Sequence, residues 1–193
     1  MLVDVTATMQ GVKGVSLAYG MVGGWDTRKW FVSSIGHRIE QHIVEAGGFY
    51  TATAIGEHET QIRSYPQSFG QYETGGYEAV REWNYSDHAR RIAEEAVALL
   101  TAPEMEERET NLVLESSQVA LQIHESVGHA VELDRILGWE AAFAGTSHLA
   151  LDKLGTHRYG TELMNITADA TIPGALGTFG YDDEGSPASC VDI

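Results

Sequence analysis

In the stretch LQIHESVGHAVELD, Leu121 to Asp134, two histidines, His124 and His129, and the glutamate Glu125 stand close together in an otherwise apolar run. These residue types hold and use a metal. Neutral imidazole nitrogens are zinc ligands, and a catalytic site usually has three protein ligands and one open position. A carboxylate beside the first ligand is placed to accept the proton of an attacking water. Spacing decides whether they can act together. The HExxH helix of zinc peptidases has two residues between the glutamate and the second histidine, whereas Ser126, Val127 and Gly128 make three here.

On a regular α-helix, residues five apart are separated by about 140° around the axis, and the two imidazoles would face different ways. A π-type turn holds roughly 4.4 residues and returns the same pair to within about 50°. Chelation by His124 and His129 therefore requires the helix to be widened or broken between them. Gly128, which lacks a Cβ, is the residue expected to relax the backbone there. Glu125 is then the expected general base. Glu132 and Asp134 are expected to orient imidazole N–H groups from behind. His37, His42, His58, His88, His148 and His157 are scattered in polar surroundings and have no such pattern. Asp182, Asp183 and Glu184 read as a solvated turn before Gly185, or as a cap for a strand near the site.

The elements that must position these residues change character near residue 101. Before it, VSLAYGM, KWFVSS, FYTATAIG and TQIRSYP are rich in β-branched and aromatic residues, with glycine-rich breaks at VGGWD, AGG and FGQYETGG. They predict an antiparallel meander in which the pairs Gly23–Gly24 and Gly47–Gly48 make hairpin turns. From Ser86 the period becomes helical. Ala89, Ile92, Ala93, Ala96, Leu99 and Leu100 share one face, Ser86 is the expected N-cap and Pro103 the stop. TAPEMEERET reads as a connection, NLVLES as a short buried strand, and Ser117 to Asp134 as the helix carrying the histidines.

The expected fold is α+β. A central, mostly β domain spans residues 1–103 with a packing helix at 86–100. The β-rich start of a catalytic domain spans 104–193 and carries the HExxxH helix. With 43% hydrophobic residues among 193, the chain can bury a real core. Its 28 acidic and 12 basic residues leave a formal charge of −16, which disfavours nucleic acid and anionic membrane surfaces as partners. MLVDVTATMQ does not resemble a signal peptide, and the single Cys190 excludes an internal disulfide. A cytoplasmic protein is expected, in which the sequons at Asn84 and Asn165 are chance matches.

HESVGHAVELD resembles the HExxxH segment of the TldD/PmbA family of zinc metallopeptidases, especially its TldD-like members. FVSSIG at 31–36 with Gln41, GGYE at 75–78, LLTAP at 99–103 and YDDEGSP at 181–187 are similar to blocks that accompany that motif, in the same order. The resemblance implies a peptidase acting on unfolded or short peptides, including the maturation of modified peptides. It also implies a dimer, formed either with a second copy or with a TldE-like subunit that lacks the metal motif. It implies that zinc is held by His124 and His129, with Glu125 as the catalytic glutamate. Family chains are longer, so this one reads as a middle segment. The family's third ligand is a cysteine in a glycine-rich block absent here, and Cys190, at variable positions just after DDEGSPAS, does not match it. Ile35 stands where the family usually has a glutamate. Two other readings stay open: a non-catalytic or truncated subunit that pairs with a complete TldD-like partner, and a structural protein whose histidines pack in a core.

Overall fold

Two long strands, β1 (Val15–Val32) and β2 (Arg38–Ile55), run antiparallel from end to end and meet in a tight loop at Ser33–His37. The computed structural model describes residues 1–68 and 70–193. The other edge of β2 is shared by β3 (Thr60–Tyr65), which pairs with residues 50–55, and β4 (Gln71–Thr74), which pairs with residues 45–48.

The glycine pairs expected to break these strands lie inside them. Gly23 faces Gly47 across the ladder and Val22 faces Gly48. A Cβ on Gly47 would run into the Tyr72 ring and come within 2.6 Å of the Gln71 carbonyl oxygen. One on Gly48 would collide with the Met21 carbonyl and sit 2.9 Å from the Val22 Cα. These glycines permit close approach of backbone and ring and make no turn, which is the other meaning of glycine in a strand.

One face of this sheet carries the core. Alternate residues of β2, Ala46, Tyr50, Ala52 and Ala54, are buried against α1 (Leu2–Gln10), α2 (Tyr77–Glu82) and α3 (Tyr85–Leu99). Ala89, Ile92, Ala93 and Ala96 form the inner stripe of α3, at the period expected. Methyl groups on both elements let α3 lie close to the strand, so larger side chains there would overpack at a cost of about 1–3 kcal/mol. Tyr50 and Tyr85 meet edge to face with centroids 5.4 Å apart, and the Tyr50 hydroxyl donates to the Tyr85 carbonyl at 3.1 Å. Ser86 does not cap α3. Helical geometry begins one residue earlier, after Asn84 in the left-handed region at φ 48°, because Tyr85 is drawn into the core.

The chain gathers into two compact units. The first is Met1–Glu106 together with Asp169–Cys190, and the second is Glu107–Ala168 with Val191–Ile193. In the first, Thr74 donates its N–H to Gly174 and Lys29 pairs with Asp183, so the later segment lies along the sheet. Residues 104–193 were expected to be β-rich and to open with a buried strand at NLVLES. No strand forms between residues 107 and 166. Leu112 and Val113 are exposed, and among the described residues nothing pairs with their backbone, so the strand pattern has no surface to be buried on. Short helical pieces and turns make up this unit, and a two-stranded ladder of β5 (Thr167–Asp169) and β6 (Cys190–Asp192) follows.

Candidate metal centre

The histidine-bearing segment is four pieces where one helix, Ser117 to Asp134, was expected. Glu115 starts it: the carboxylate accepts the Ser117 hydroxyl, the Ser116 hydroxyl at 2.8 Å and the Ser117 N–H at 2.9 Å, the last an amide that a helix start leaves open. These hydrogen bonds hold its carboxyl below the usual glutamate range. Helix α4 runs from Ser116 to Ile123. It widens into a π turn over His124–Gly128, where the His129 N–H donates to the His124 carbonyl five residues back. A 3₁₀ turn, His129–Val131, follows, Glu132 is extended, and α5 (Leu133–Ile136) begins.

Gly128 is not what permits the widening. Its φ and ψ, −51° and −58°, are ordinary right-handed helix, and a Cβ there would meet only the Ile123 carbonyl oxygen at 3.8 Å. The π turn is held from outside. The Tyr159 hydroxyl donates to the Ser126 carbonyl, and the Ser147 hydroxyl donates to the Ala130 carbonyl at 2.6 Å. One of these carbonyls lies in the π turn and the other in the 3₁₀ turn that follows it. Val127, buried on the same turn, lines an apolar cavity of about 380 Å³ that Tyr159 also borders.

The consequence is the arrangement that chelation needs. The His124 and His129 rings face each other at 84° with centroids 4.4 Å apart. One nitrogen of each, with a Glu125 carboxylate oxygen, all lie within 4.8 Å of one another. Ligand atoms around tetrahedral zinc sit roughly 3.4 Å apart, given zinc–nitrogen bonds of about 2.0–2.1 Å, so small side-chain rotations would bring this set to bonding distance. Two imidazoles are donors that zinc takes, with a carboxylate beside them to serve a water on the ion, and the residues fit such an ion. His124 and Glu125 are exposed and His129 is half-buried.

Around this group, Glu132 Oε1 lies 2.9 Å from His129 Nδ1, and its other oxygen forms an ion pair with Arg135 Nε. The hydrogen bond with His129, opposed by desolvation and aided to a lesser degree by the charge of Arg135, holds the Glu132 carboxyl below its usual range. Asp134, expected to serve the histidines, instead accepts the Arg135 N–H at 2.8 Å in the first turn of α5. Arg135 was not foreseen, although its place three residues after Glu132 is the helical ion-pair spacing. Tyr159 and Ser147 had no signal in the sequence at all.

Other candidates take other roles. Cys190 is outside the group, and its thiol hydrogen-bonds with the Asp169 carboxylate. His42 pairs with Asp26 at 2.8 Å, His88 stacks on Tyr65, and His148 and His157 approach the Tyr159 ring. Asp182 closes its own turn by accepting the Glu184 and Ser186 N–H groups at 2.9 and 2.8 Å, with Gly185 at φ +86°. Among the described residues no further cluster of metal-ligating side chains forms.

Residues 107–193 match the family described as PmbA/TldA metallopeptidase C-terminal domain. A Methanocaldococcus jannaschii protein named a metalloprotease is 32% identical over 180 residues, covering 92% of this chain and 36% of that protein. A Methanothermobacter thermautotrophicus metalloprotease is 30% identical over 183 residues, 95% of this chain and 37% of its own length. A metalloprotease from a Synechocystis strain is 32% identical over 110 residues, 57% of this chain and 22% of its own. The chain thus spans little more than a third of the two archaeal relatives. No solved structure matches it significantly.

Proposed function

This chain belongs to the PmbA/TldD family of metallopeptidases, and from that premise we propose that it carries the centre of a zinc-dependent peptidase acting on unfolded or short peptides. The observation that supports this reading is the convergence of His124, Glu125 and His129 across one π turn. Zinc bound there would supply Lewis acidity, polarising a peptide carbonyl and easing the ionisation of a water. His124 and His129 bind it through their free ring nitrogens. Glu125 takes the proton of the attacking water on a carboxylate oxygen and passes it to the leaving amine, so that one peptide bond and one water become an acid and an amine. Glu132 keeps the proton of His129 on Nδ1, leaving Nε2 as the ligand atom.

The third protein ligand, on the family resemblance, is a cysteine in a glycine-rich block outside residues 1–193, and these residues alone hold zinc weakly. Peptide backbone is read by strand addition, and the working unit is a dimer with a second copy or a TldE-like subunit. Among the described residues, no helix is long and apolar enough to cross a membrane.

The test is cleavage of an unfolded protein substrate by the zinc-loaded full-length protein. Glu125→Gln is expected to retain zinc and lose cleavage, and His124→Ala to lose both. A Glu125→Gln enzyme as fast as the unaltered one would overturn the reading.

A further inference from the structure

We propose that Arg135 is the positioning residue of the metal centre, acting on His129 through Glu132. The three side chains form a directed chain. The Glu132 carboxylate spends one oxygen on each neighbour, Oε1 on His129 Nδ1 at 2.9 Å and Oε2 on Arg135 Nε. Arg135 is itself clamped: Nη1 donates to the Ala144 carbonyl at 3.0 Å, and its backbone N–H is held by Asp134. Its side chain is only 18% exposed, against 40% for Glu132 and 29% for His129. The most buried member of the chain is thus the one farthest from the metal group.

The chemistry follows from what each group can donate. A carboxylate only accepts, so the His129 nitrogen facing Glu132 must carry the ring proton, and the lone pair is left on Nε2. A glutamate on a flexible stem imposes this tautomer only while its carboxylate is kept in place. Glu132 has an extended backbone between two helical pieces and, among the described residues, no other side-chain partner, so Arg135 keeps it there. A planar guanidinium can span from a carboxylate to a main-chain carbonyl, whereas a lysine ammonium is a single compact donor on a flexible stem. The residues Asp134, Arg135 and Ala144 therefore build the back wall from which the second imidazole is aimed.

This inference rests on reading His129 as a metal ligand, but its first readout needs no metal. Nitrogen NMR of the metal-free protein, above the pH at which imidazoles titrate, distinguishes Nδ1–H from Nε2–H histidine. His129 is expected as Nδ1–H, and Arg135→Gln should shift it towards a mixture. Glu132→Gln should do the same, and the double variant should go no further. Zinc affinity is the second readout, with a fall of about tenfold for Arg135→Gln and partial recovery in Arg135→Lys. An unchanged tautomer in Arg135→Gln, or a shift that adds to that of Glu132→Gln, overturns the proposal. Should Arg135→Gln melt the segment, Arg135→Lys decides, since an unaltered tautomer with unaltered zinc affinity overturns it as well. A tautomer that depends on Arg135 in a protein that binds no zinc supports the positioning role and sinks the peptidase reading instead.

Discussion

The side-chain amide of Gln41 pairs with the main chain of Tyr181 as a neighbouring strand would: Nε2 donates to the Tyr181 carbonyl at 2.8 Å and Oε1 accepts its N–H at 2.9 Å. The same oxygen takes the Gly180 N–H at 3.0 Å. One side chain on β2 thereby fastens the start of the Tyr181–Pro187 turn. Gln41→Leu removes all three bonds. At about 0.5–1.5 kcal/mol each and with solvent competing, the local loss is on the order of 1–2 kcal/mol. Hydrogen exchange at the Gly180 and Tyr181 amides should speed up about tenfold, and an unchanged rate would show that the turn holds itself.

The two kinds of glycine should respond in opposite ways to an added methyl. Gly47→Ala places a Cβ in the Tyr72 ring and against the Gln71 carbonyl, so the first unit should lose several kcal/mol or fail to fold. Gly128→Ala meets open helical space and should stabilise the π turn by about 0.5–1 kcal/mol with zinc affinity intact. Thermal melts of both variants check this, and a destabilised Gly128→Ala would restore the conformational role that the sequence suggests.

The Tyr159 hydroxyl is the outside support of the π turn at Ser126. Tyr159→Phe leaves the ring and removes that donor, at a cost of about 0.5–1.5 kcal/mol. If the turn presets the two imidazoles, zinc affinity should fall roughly two- to tenfold in a chelator competition. Affinity equal to that of the unaltered protein would mean that the turn keeps its shape without the tyrosine.

Acid should weaken the first unit partly through Glu95. Burial pushes its carboxyl up, but hydrogen bonds from Arg91 and Arg63, with their charges, outweigh this and hold it below the usual range. A folded-state pKa lower than the unfolded one means that the stabilisation is complete above the ordinary value of about 4.3 and is lost as pH falls through the folded value. The side chain is one-third exposed, so the effect is a few tenths to about 1 kcal/mol. The urea-midpoint difference between the unaltered protein and Glu95→Gln should be clear at neutral pH and should shrink as the pH falls below the ordinary carboxylate value. A constant difference would assign it to packing.

Local pattern carried some features through to the structure unchanged. Ala89, Ile92, Ala93 and Ala96 had to share a face because a helix repeats every 3.6 residues, and they are the buried stripe of α3. The extra residue between Glu125 and His129 required a wider turn if the imidazoles were to meet, and the chain widens there. Other features were hidden because their meaning depends on a partner distant in sequence. Gly23, Gly24, Gly47 and Gly48 carry the signature of turns, and only the pairing of β1 with β2 shows that they admit close backbone. NLVLES has the composition of a strand but no strand to pair with.

By itself, the sequence determined which groups can do chemistry and how far apart they stand along the chain, since residue type and spacing are covalent facts. That His124, Glu125 and His129 could be brought together was legible for that reason, and their ligand atoms lie within 4.8 Å of one another. Tertiary structure alone decided what surrounds them, with Arg135 spanning to Ala144, Tyr159 reaching Ser126 and Ser147 reaching Ala130. Orientation comes from hydrogen bonds closed between distant segments. No local period records those, because each is chosen by packing only after the chain has folded back on itself.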